Sequence, residues 1–295
     1  MISRVTQSTL TRDLLSQVRR LQRDLAGSQE TVATQRRVRE ASDDPTGAAR
    51  LVRLRSESSE LDTLGDSVGF GVSVLGAQDS ALDQASRILV RAREVAVQHA
   101  NEISTPEARQ QAAEEIEELE RGLLTLANTQ VAGRHVFGGL ASEPAPFTQF
   151  DDPAFDPAAP YVGPAEDFHL RIGPDSNEIR LTTAGDGIFG EAVAALDELR
   201  NTLASGNAPS ASLDPLESAA ETIRAERASV GGRMRRLQDR SREILDSAKT
   251  AQQEIGRVED ADTVEAIVEL QRLQVALQAA LQSSRQLQTS ILDYL

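Results

Sequence analysis

The chain of 295 residues has no cysteine and no tryptophan, two methionines, seven phenylalanines and two tyrosines. Without cysteine there is no disulfide framework, no thiolate metal site and no cysteine nucleophile. His99, His135 and His169 lie far apart, and none begins an H-x-x-x-H pair, so a zinc site is not expected. The longest charge-free stretch, Asn201 to Leu213, is too short and too polar to span a bilayer. The first ten residues lack the apolar run of a secretory signal, so export by that route and membrane insertion are not expected. Lysine is almost missing too: Lys249 stands alone among 31 basic residues, and nothing in the sequence explains the bias. Those 31 face 46 acids, for a net charge of -15, which argues against nucleic acid as the main partner. A chain of this length with so few aromatics is poorly equipped for large globular cores. Its wealth of Ala, Leu, Gln, Glu and Arg points to long helices packed lengthwise.

The scarce residues are clustered. Phe137, Phe147, Phe150, Phe155, Tyr161, Phe168 and Phe189 fall within one short region, as do most of the prolines, between Pro144 and Pro174. Proline at that density excludes long helix. Within the region, Phe168 to Ile172 and Ile179 to Thr182 alternate apolar and polar side chains, which predicts two half-buried strands. Gly173-Pro174-Asp175 supplies a turn between them. Asp151 to Pro160 reads as an irregular loop. The expected fold class is mainly α: a long antiparallel coiled-coil bundle made by the two halves of the chain, with a small β-containing domain inserted between them.

Helix signals surround that insert. Asp44 before Pro45 predicts an N-cap with proline in the first turn. From there Leu54, Leu61, Val68, Leu75, Leu82, Leu89 and Ala96 recur at every seventh position, so a left-handed coiled-coil partner is required along that face. Gly65, Gly69, Gly71 and Gly76 either weaken this helix or permit close approach. A returning helix starts at Thr105-Pro106, carries Ile116, Leu119, Leu123 and Leu126, and is expected to end near Gly133. After a short helix over Phe189 to Leu203, Asp214-Pro215 repeats the cap-then-proline signal. A 3,4-spaced series then runs from Ala220 to Val258. Asp262 and Glu265 are placed like a capping box for the last helix.

Both end segments read as amphipathic helices. The first carries Leu10, Leu14, Val18, Leu21, Leu25 and Val32. The last carries Ile267, Leu270, Leu273, Leu277, Leu281, Leu287, Ile291 and Leu295. The first forty residues are net basic and those from 260 onward net acidic, which favours docking of the two. The expected organisation is an N-terminal assembly helix over 1–44 and a long α-hairpin of a rod over 45–133. The β-containing insert follows over 134–190, returning rod helices over 191–258, and a C-terminal assembly helix over 259–295.

The junctions carry recognisable motifs. Arg39-Glu40-Ala41-Ser42-Asp43-Asp44-Pro45-Thr46-Gly47-Ala48-Ala49, followed by Leu51 to Glu57, resembles the N-terminal region of the flagellin family. The stretch Leu126-Ala127-Asn128-Thr129-Gln130-Val131-Ala132-Gly133-Arg134-His135-Val136-Phe137-Gly138-Gly139, with Phe147 beyond it, is similar to that family's hook–filament junction branch, as is Ser290 to Leu295. His135 stands where that branch commonly has Tyr, and Arg36-Arg37 replaces a more usual Gly-Lys. The resemblance implies a structural protein with no cofactor and no catalytic or metal-binding residues. Such proteins pass unfolded, with a chaperone, through the flagellar type III export apparatus. It implies terminal helices that fold on assembly into a ring-like layer of identical subunits outside the cell. The implied neighbours are hook-associated protein 1 and flagellin.

Other motifs have plainer readings. Gly69-Phe70-Gly71-Val72-Ser73-Val74 lacks the third glycine of a dinucleotide loop and lies inside the heptad run, not after a strand. Asp43-Asp44 fits a helix start better than a metal or acid–base pair. Glu114 to Glu120 reads as a solvated acidic face around Ile116 and Leu119, and His135 as a loop or core histidine. No nucleophile–base set is coherent, so an enzyme is not expected. A minor flagellin and a cytosolic coiled-coil scaffold are the competing readings.

Overall fold

The computed structural model describes residues 2–100, 104–140, 143–173 and 178–292, and the side chains among them between 12 and 284. The expected Pro174-Asp175 turn lies outside the described residues. Among the described residues there are six α-helices: α1 (Ile2–Thr34), α2 (Pro45–His99), α3 (Pro106–Ala127), α4 (Glu191–Ala204), α5 (Leu213–Glu259) and α6 (Thr263–Leu292). The strands are β1 (Gln130–Val131), β2 (Arg134–His135), β3 (Phe168–Arg171) and β4 (Glu178–Thr182). Two antiparallel two-stranded sheets result, β1–β2 and β3–β4. The chain forms two compact units, residues 61–246 and residues 1–60 with 247–295.

In the unit of residues 61–246 the heptad face of α2 is the spine. Val68, Leu75, Leu82, Leu89 and Ala96 are all buried, while Leu61, earlier in the series, is only half-buried. Ile116 and Leu123 of α3, Leu196 and Leu199 of α4, and Ile223, Val230 and Leu237 of α5 complete the core. Arg227 interrupts the apolar series of α5 because it pairs with Asp79 and Asp83 of α2. Of the glycines in α2, Gly71 marks a close approach: a Cβ there would lie 2.9 Å from Leu170 Cδ2 and from Leu237 Cδ1.

The aromatic residues do not form a core apart. Phe137, Phe147 and Phe189 are buried and meet edge to face, and they belong to the same cluster as the helices. The buried Gln78 of α2 ties the two layers, donating to the carbonyls of Val136 (2.7 Å) and Leu181 (3.0 Å). A buried amide with partners on two segments fixes them where an apolar residue would not.

Three boundaries differ from expectation. α3 ends at Ala127, not near Gly133, because Asn128 caps it and the chain turns at once into the β1–β2 hairpin, with left-handed backbone at Ala132 and Gly133. α5 begins at Leu213 after a 3₁₀ turn over Pro209–Ser212, so Asp214 lies in the first turn rather than at the cap. α4 is preceded by one π turn, Asp186–Gly190, which buries Ile188 and Phe189. The two strands of the insert and the irregular 151–160 loop are found where the alternation and prolines place them.

In the unit of residues 1–60 with 247–295, α1 packs along α6. Residues 35–38 run beside the end of α5, with Arg36 and Asp260 forming an antiparallel bridge, so α1 and α6 leave the junction side by side and antiparallel. Val38, Leu51, Ile255 and Val258 form a small core there.

Candidate assembly interface

The α1–α6 pair is unusual for what it leaves uncovered. On α1, Leu14, Val18, Leu21, Leu25 and Val32 are half-buried along one stripe, and no described side chain of α1 is fully buried. On α6 the half-buried stripe is Ala266, Leu270, Leu273, Leu277 and Ala280. Ile267 and Leu281, expected in that seam, are instead 46% and 43% exposed, because at 100° per residue they fall on its flank. The side chains of Leu10, Leu287, Ile291 and Leu295 lie outside the described residues.

A second apolar stripe occupies the far side of α6. Val264, Val268 and Val275 are 71%, 59% and 65% exposed. Their spacing of four and seven residues sets them within about 40° of one another and opposite the face that meets α1. The spacing was visible in the sequence. The leucine-rich face of the same helix carries the stronger periodic signal and masks it. A helix with apolar residues on two opposite faces is equipped for a neighbour on each. The outer face of α1 is different: Arg12, Arg19, Arg20 and Arg23 are exposed there. Among the described residues no ion pair joins α1 to α6, and the acids that make the last segment net negative lie mostly outside α6, at Asp260, Asp262 and Asp293.

The base of the pair is held more firmly. Glu259 is buried and its carboxylate meets Arg36 Nε at 2.6 Å and Arg55 Nη2 at 2.8 Å. Its carbonyl accepts from the Arg37 N–H at 2.7 Å, and Arg37 Nη2 reaches the Val258 carbonyl at 2.9 Å. Asp262 caps α6, accepting from the N–H groups of Val264 (2.9 Å) and Glu265 (3.2 Å). Sequence reasoning found the break at 259–262 and missed this role of Glu259. The only signal was an arginine pair upstream and a single acid at the end of an apolar series.

The motif Ser42-Asp43-Asp44-Pro45 builds the turn into α2. Asp43 accepts from the N–H groups of Arg39 and Glu40, which holds its carboxyl below the usual carboxylate range. Asp44 accepts from the Gly47 N–H at 2.9 Å, and its carboxyl is lowered first by that bond and then by Arg37. Ser42 bonds Glu40. These are structural roles.

The second motif seats the insert. Ala127 is buried and Leu126 half-buried against the core, and Thr129 caps back to the Leu126 carbonyl. Asn128 exchanges two hydrogen bonds with the backbone of Phe147, at 2.9 and 3.0 Å. His135 is buried, with Nδ1 3.0 Å from the Asn128 carbonyl and Nε2 2.8 Å from Gln130 Nε2. Arg134 lies over the ring of Phe168. Gly138 pairs with Ala184. Gly139, at φ +57°, leaves no room for a Cβ, which would come within 2.5 Å of the Glu166 carbonyl oxygen. Each motif residue therefore supports the backbone path from α3 into the insert.

Among the described residues no group of His, Asp and Glu is placed to hold a metal ion, and no helix is long and apolar enough to cross a membrane. Residues 5–142 match the bacterial flagellin N-terminal helical region, and residues 213–295 match the bacterial flagellin C-terminal helical region. The chain belongs to the flagellin family. The two matched regions leave out 143–212, which holds most of the insert and α4.

The chain is also similar to two flagellar proteins and one solved structure. The flagellar hook-associated protein 3 of Escherichia coli is 29% identical over 161 residues, covering 54% of this chain and 48% of that protein. The flagellar filament 30.7 kDa core protein of Treponema maltophilum is 24% identical over 258 residues, covering 86% of this chain and 85% of that protein. The chain thus spans about half the length of the first and most of the second. A putative flagellar hook-associated protein from Vibrio parahaemolyticus has the same fold, with a TM-score of 0.65 at 18% identity, over 74% of this chain and all of that structure. The chain is thus a member of the flagellin family that shares its fold with a flagellar hook-associated protein.

Proposed function

We propose that this chain is the adaptor at the hook–filament junction, seated on hook-associated protein 1 and presenting a surface on which flagellin stacks. The observation that carries the proposal is the path from Leu126 to Phe147. Its residues, similar to the junction branch of the family, act together to seat the insert through Asn128, Gly139 and Phe147. The assembly role rests on α1 and α6. Their mutual seam of Leu14, Val18, Leu21, Leu25, Leu270, Leu273 and Leu277 is only half-buried, and the valine stripe of α6 faces outward. A second copy of the chain, placed head to tail, would cover both and build a ring-like helical layer. In this reading residues 1–44 and 259–295 form the assembly segment, 45–133 with 191–258 the rod, and 134–190 the inserted part. The chain has no catalytic role and needs no cofactor. It travels unfolded with an export chaperone through the type III apparatus and works outside the cell.

Electron microscopy of hook ends from a strain lacking this protein tests the reading. Hooks that keep hook-associated protein 1 but carry no filament, with flagellin lost to the medium, are expected. Normal filaments in that strain would overturn it. A second reading, a minor flagellin, is favoured by the near full-length similarity to the Treponema filament protein. Long filaments formed by the purified chain alone would decide for it.

A further inference from the structure

Glu120 is the one acid of the Glu114 to Glu120 run that does not face solvent. It lies on α3 with its side chain wholly buried, and neither carboxylate oxygen accepts a hydrogen bond among the described residues. A buried carboxylate without hydrogen bonds is expensive to keep charged. The nearest cation is Arg200 of α4, whose Nε lies 3.7 Å from Glu120 Oε2. That distance is an ion pair without a hydrogen bond, and Arg200 Nε is itself buried without one.

Arg200 has two other engagements. It pairs with Asp197 one turn earlier on α4, and its guanidinium lies over the ring of Phe150, 5.1 Å from the centroid. Arg121, the residue after Glu120, covers the same ring at 4.5 Å. Arg121 is tied to Asp151 at 2.6 Å and to Glu117 at 2.8 Å. Phe150 and Asp151 belong to the loop of the insert. That loop is therefore held on α3 and α4 by two arginines, one of which answers to a buried carboxyl. The charges acting on Glu120 come from both helices: Arg200 and Asp197 from α4, Glu117 and Arg121 from α3. Burial raises its carboxyl to about 7, the attraction of Arg200 notwithstanding.

We propose that Glu120 is a proton-controlled latch for the insert loop. When it is ionised, Arg200 is drawn inward toward α3. When it is neutral, Arg200 is released to Asp197 and the face of Phe150. The protonation state sets how firmly the loop around Phe150 seats on the α3–α4 hairpin. Because the seat lies where the insert meets the helices, the latch makes the insert responsive to pH near neutrality.

Stability carries the same sign. The folded carboxyl titrates above its unfolded value of 4.5, so Glu120 adds stability at low pH that is lost as pH rises through about 7. The full chain labelled with 4-fluorophenylalanine has seven resonances, and loss of one in Phe150→Leu assigns Phe150. Between pH 5.5 and 8.5 the Phe150 resonance is expected to shift with a midpoint near 7 in the parent protein and to stay fixed in Glu120→Gln. Over that range the ratio of the two proteins' unfolding constants is expected to change roughly thirtyfold. A resonance that does not move, or that moves equally in Glu120→Gln, overturns the latch. The latter outcome assigns the response to a group other than Glu120. If Glu120→Gln does not fold, carbon NMR of the Glu120 carboxyl in the parent protein decides. A titration coincident with the Phe150 shift supports the latch, and one in the ordinary carboxylate range refutes it.

Discussion

The unit of residues 61–246 and the unit of residues 1–60 with 247–295 are both built on long helices, yet they bury side chains to very different depths. In the first, every heptad residue of α2 from Val68 onward is covered, and Phe137, Phe147 and Phe189 fill the gap toward the insert. In the second, the buried hydrophobic side chains among the described residues are five, Val38, Leu51, Ala251, Ile255 and Val258, and they sit at the base of α1 and α6 rather than along them. The composition of the helices does not explain the contrast, since both units use Leu, Val and Ala seams. The number of partners does. A helix between three others has its seam closed from several sides, whereas two helices alone close only the strip between them. The leucines of α1 and α6 therefore have more to gain from a further partner than from each other.

The largest expected effect tests the packed unit. Phe189→Ala is expected to lower its unfolding free energy by about 3–5 kcal/mol, since the ring is wholly buried among Phe137, Phe147 and the π turn. Calorimetry of the purified chain measures it, and a loss below about 1 kcal/mol would mean the aromatic cluster is looser than its burial implies.

Next comes the base of the loosely covered pair. Glu259→Gln keeps the shape and removes the charge that Arg36 and Arg55 share. Both arginines are about half exposed and can turn to water, so the cost is expected to be about 1–2 kcal/mol rather than that of a buried broken pair. Hydrogen exchange should rise at Arg37 and Val38, whose N–H groups bond the Glu259 carbonyl, and remain unchanged in α3 and α4.

Glycine substitutions set the two units against each other directly. A Cβ at Gly27 of α1 meets nothing within 4 Å, so Gly27→Ala is expected to stabilise that helix by up to about 1 kcal/mol. The same change at Gly71 of α2 gains that propensity but drives into Leu170 and Leu237, and a net loss of about 1 kcal/mol is expected. Equal effects at the two sites would erase the distinction. Leu273→Ala should leave the melting of residues 61–246 within about 0.5 kcal/mol of the parent while weakening retention of the protein on hooks.

Much of the fold was legible from periodicity and punctuation. The seven-residue repeat of α2, the Asp44-Pro45 and Asp262 starts, and the β3–β4 alternation all concern contacts within or between regular elements, where residue spacing maps directly onto faces. The misses share a cause. α3 stops at Ala127 because the Asn128 side chain bonds Phe147, nineteen residues on, a partner no local rule identifies. Glu120 looked like one more solvated acid because its position differs from that of Glu117 or Glu118 only once α4 is in place. The outward valines of α6 were written in the sequence, but two apolar faces on one helix are resolved into inner and outer only when α1 takes one of them.

The smallest expected effect concerns how the helices begin. α2 starts in the loosely covered unit with a charged cap, and α3 starts in the packed unit with a neutral one, Thr105 Oγ1 accepting from the Ala108 N–H at 3.3 Å. Only the first can respond to pH. The carboxyl of Asp44 is held below its ordinary 3.8 chiefly by the Gly47 N–H, so its contribution is present above that value and lost as pH falls through the lower folded one. The Gly47 amide resonance should therefore move in acid below pH 3.8, whereas Ala108 should not, and Asp44→Asn should abolish the movement while keeping the cap. Movement of Gly47 at the ordinary carboxylate value would mean that the bond is not held in solution. The turn that launches α2 would then be as loosely set as the α1–α6 strip.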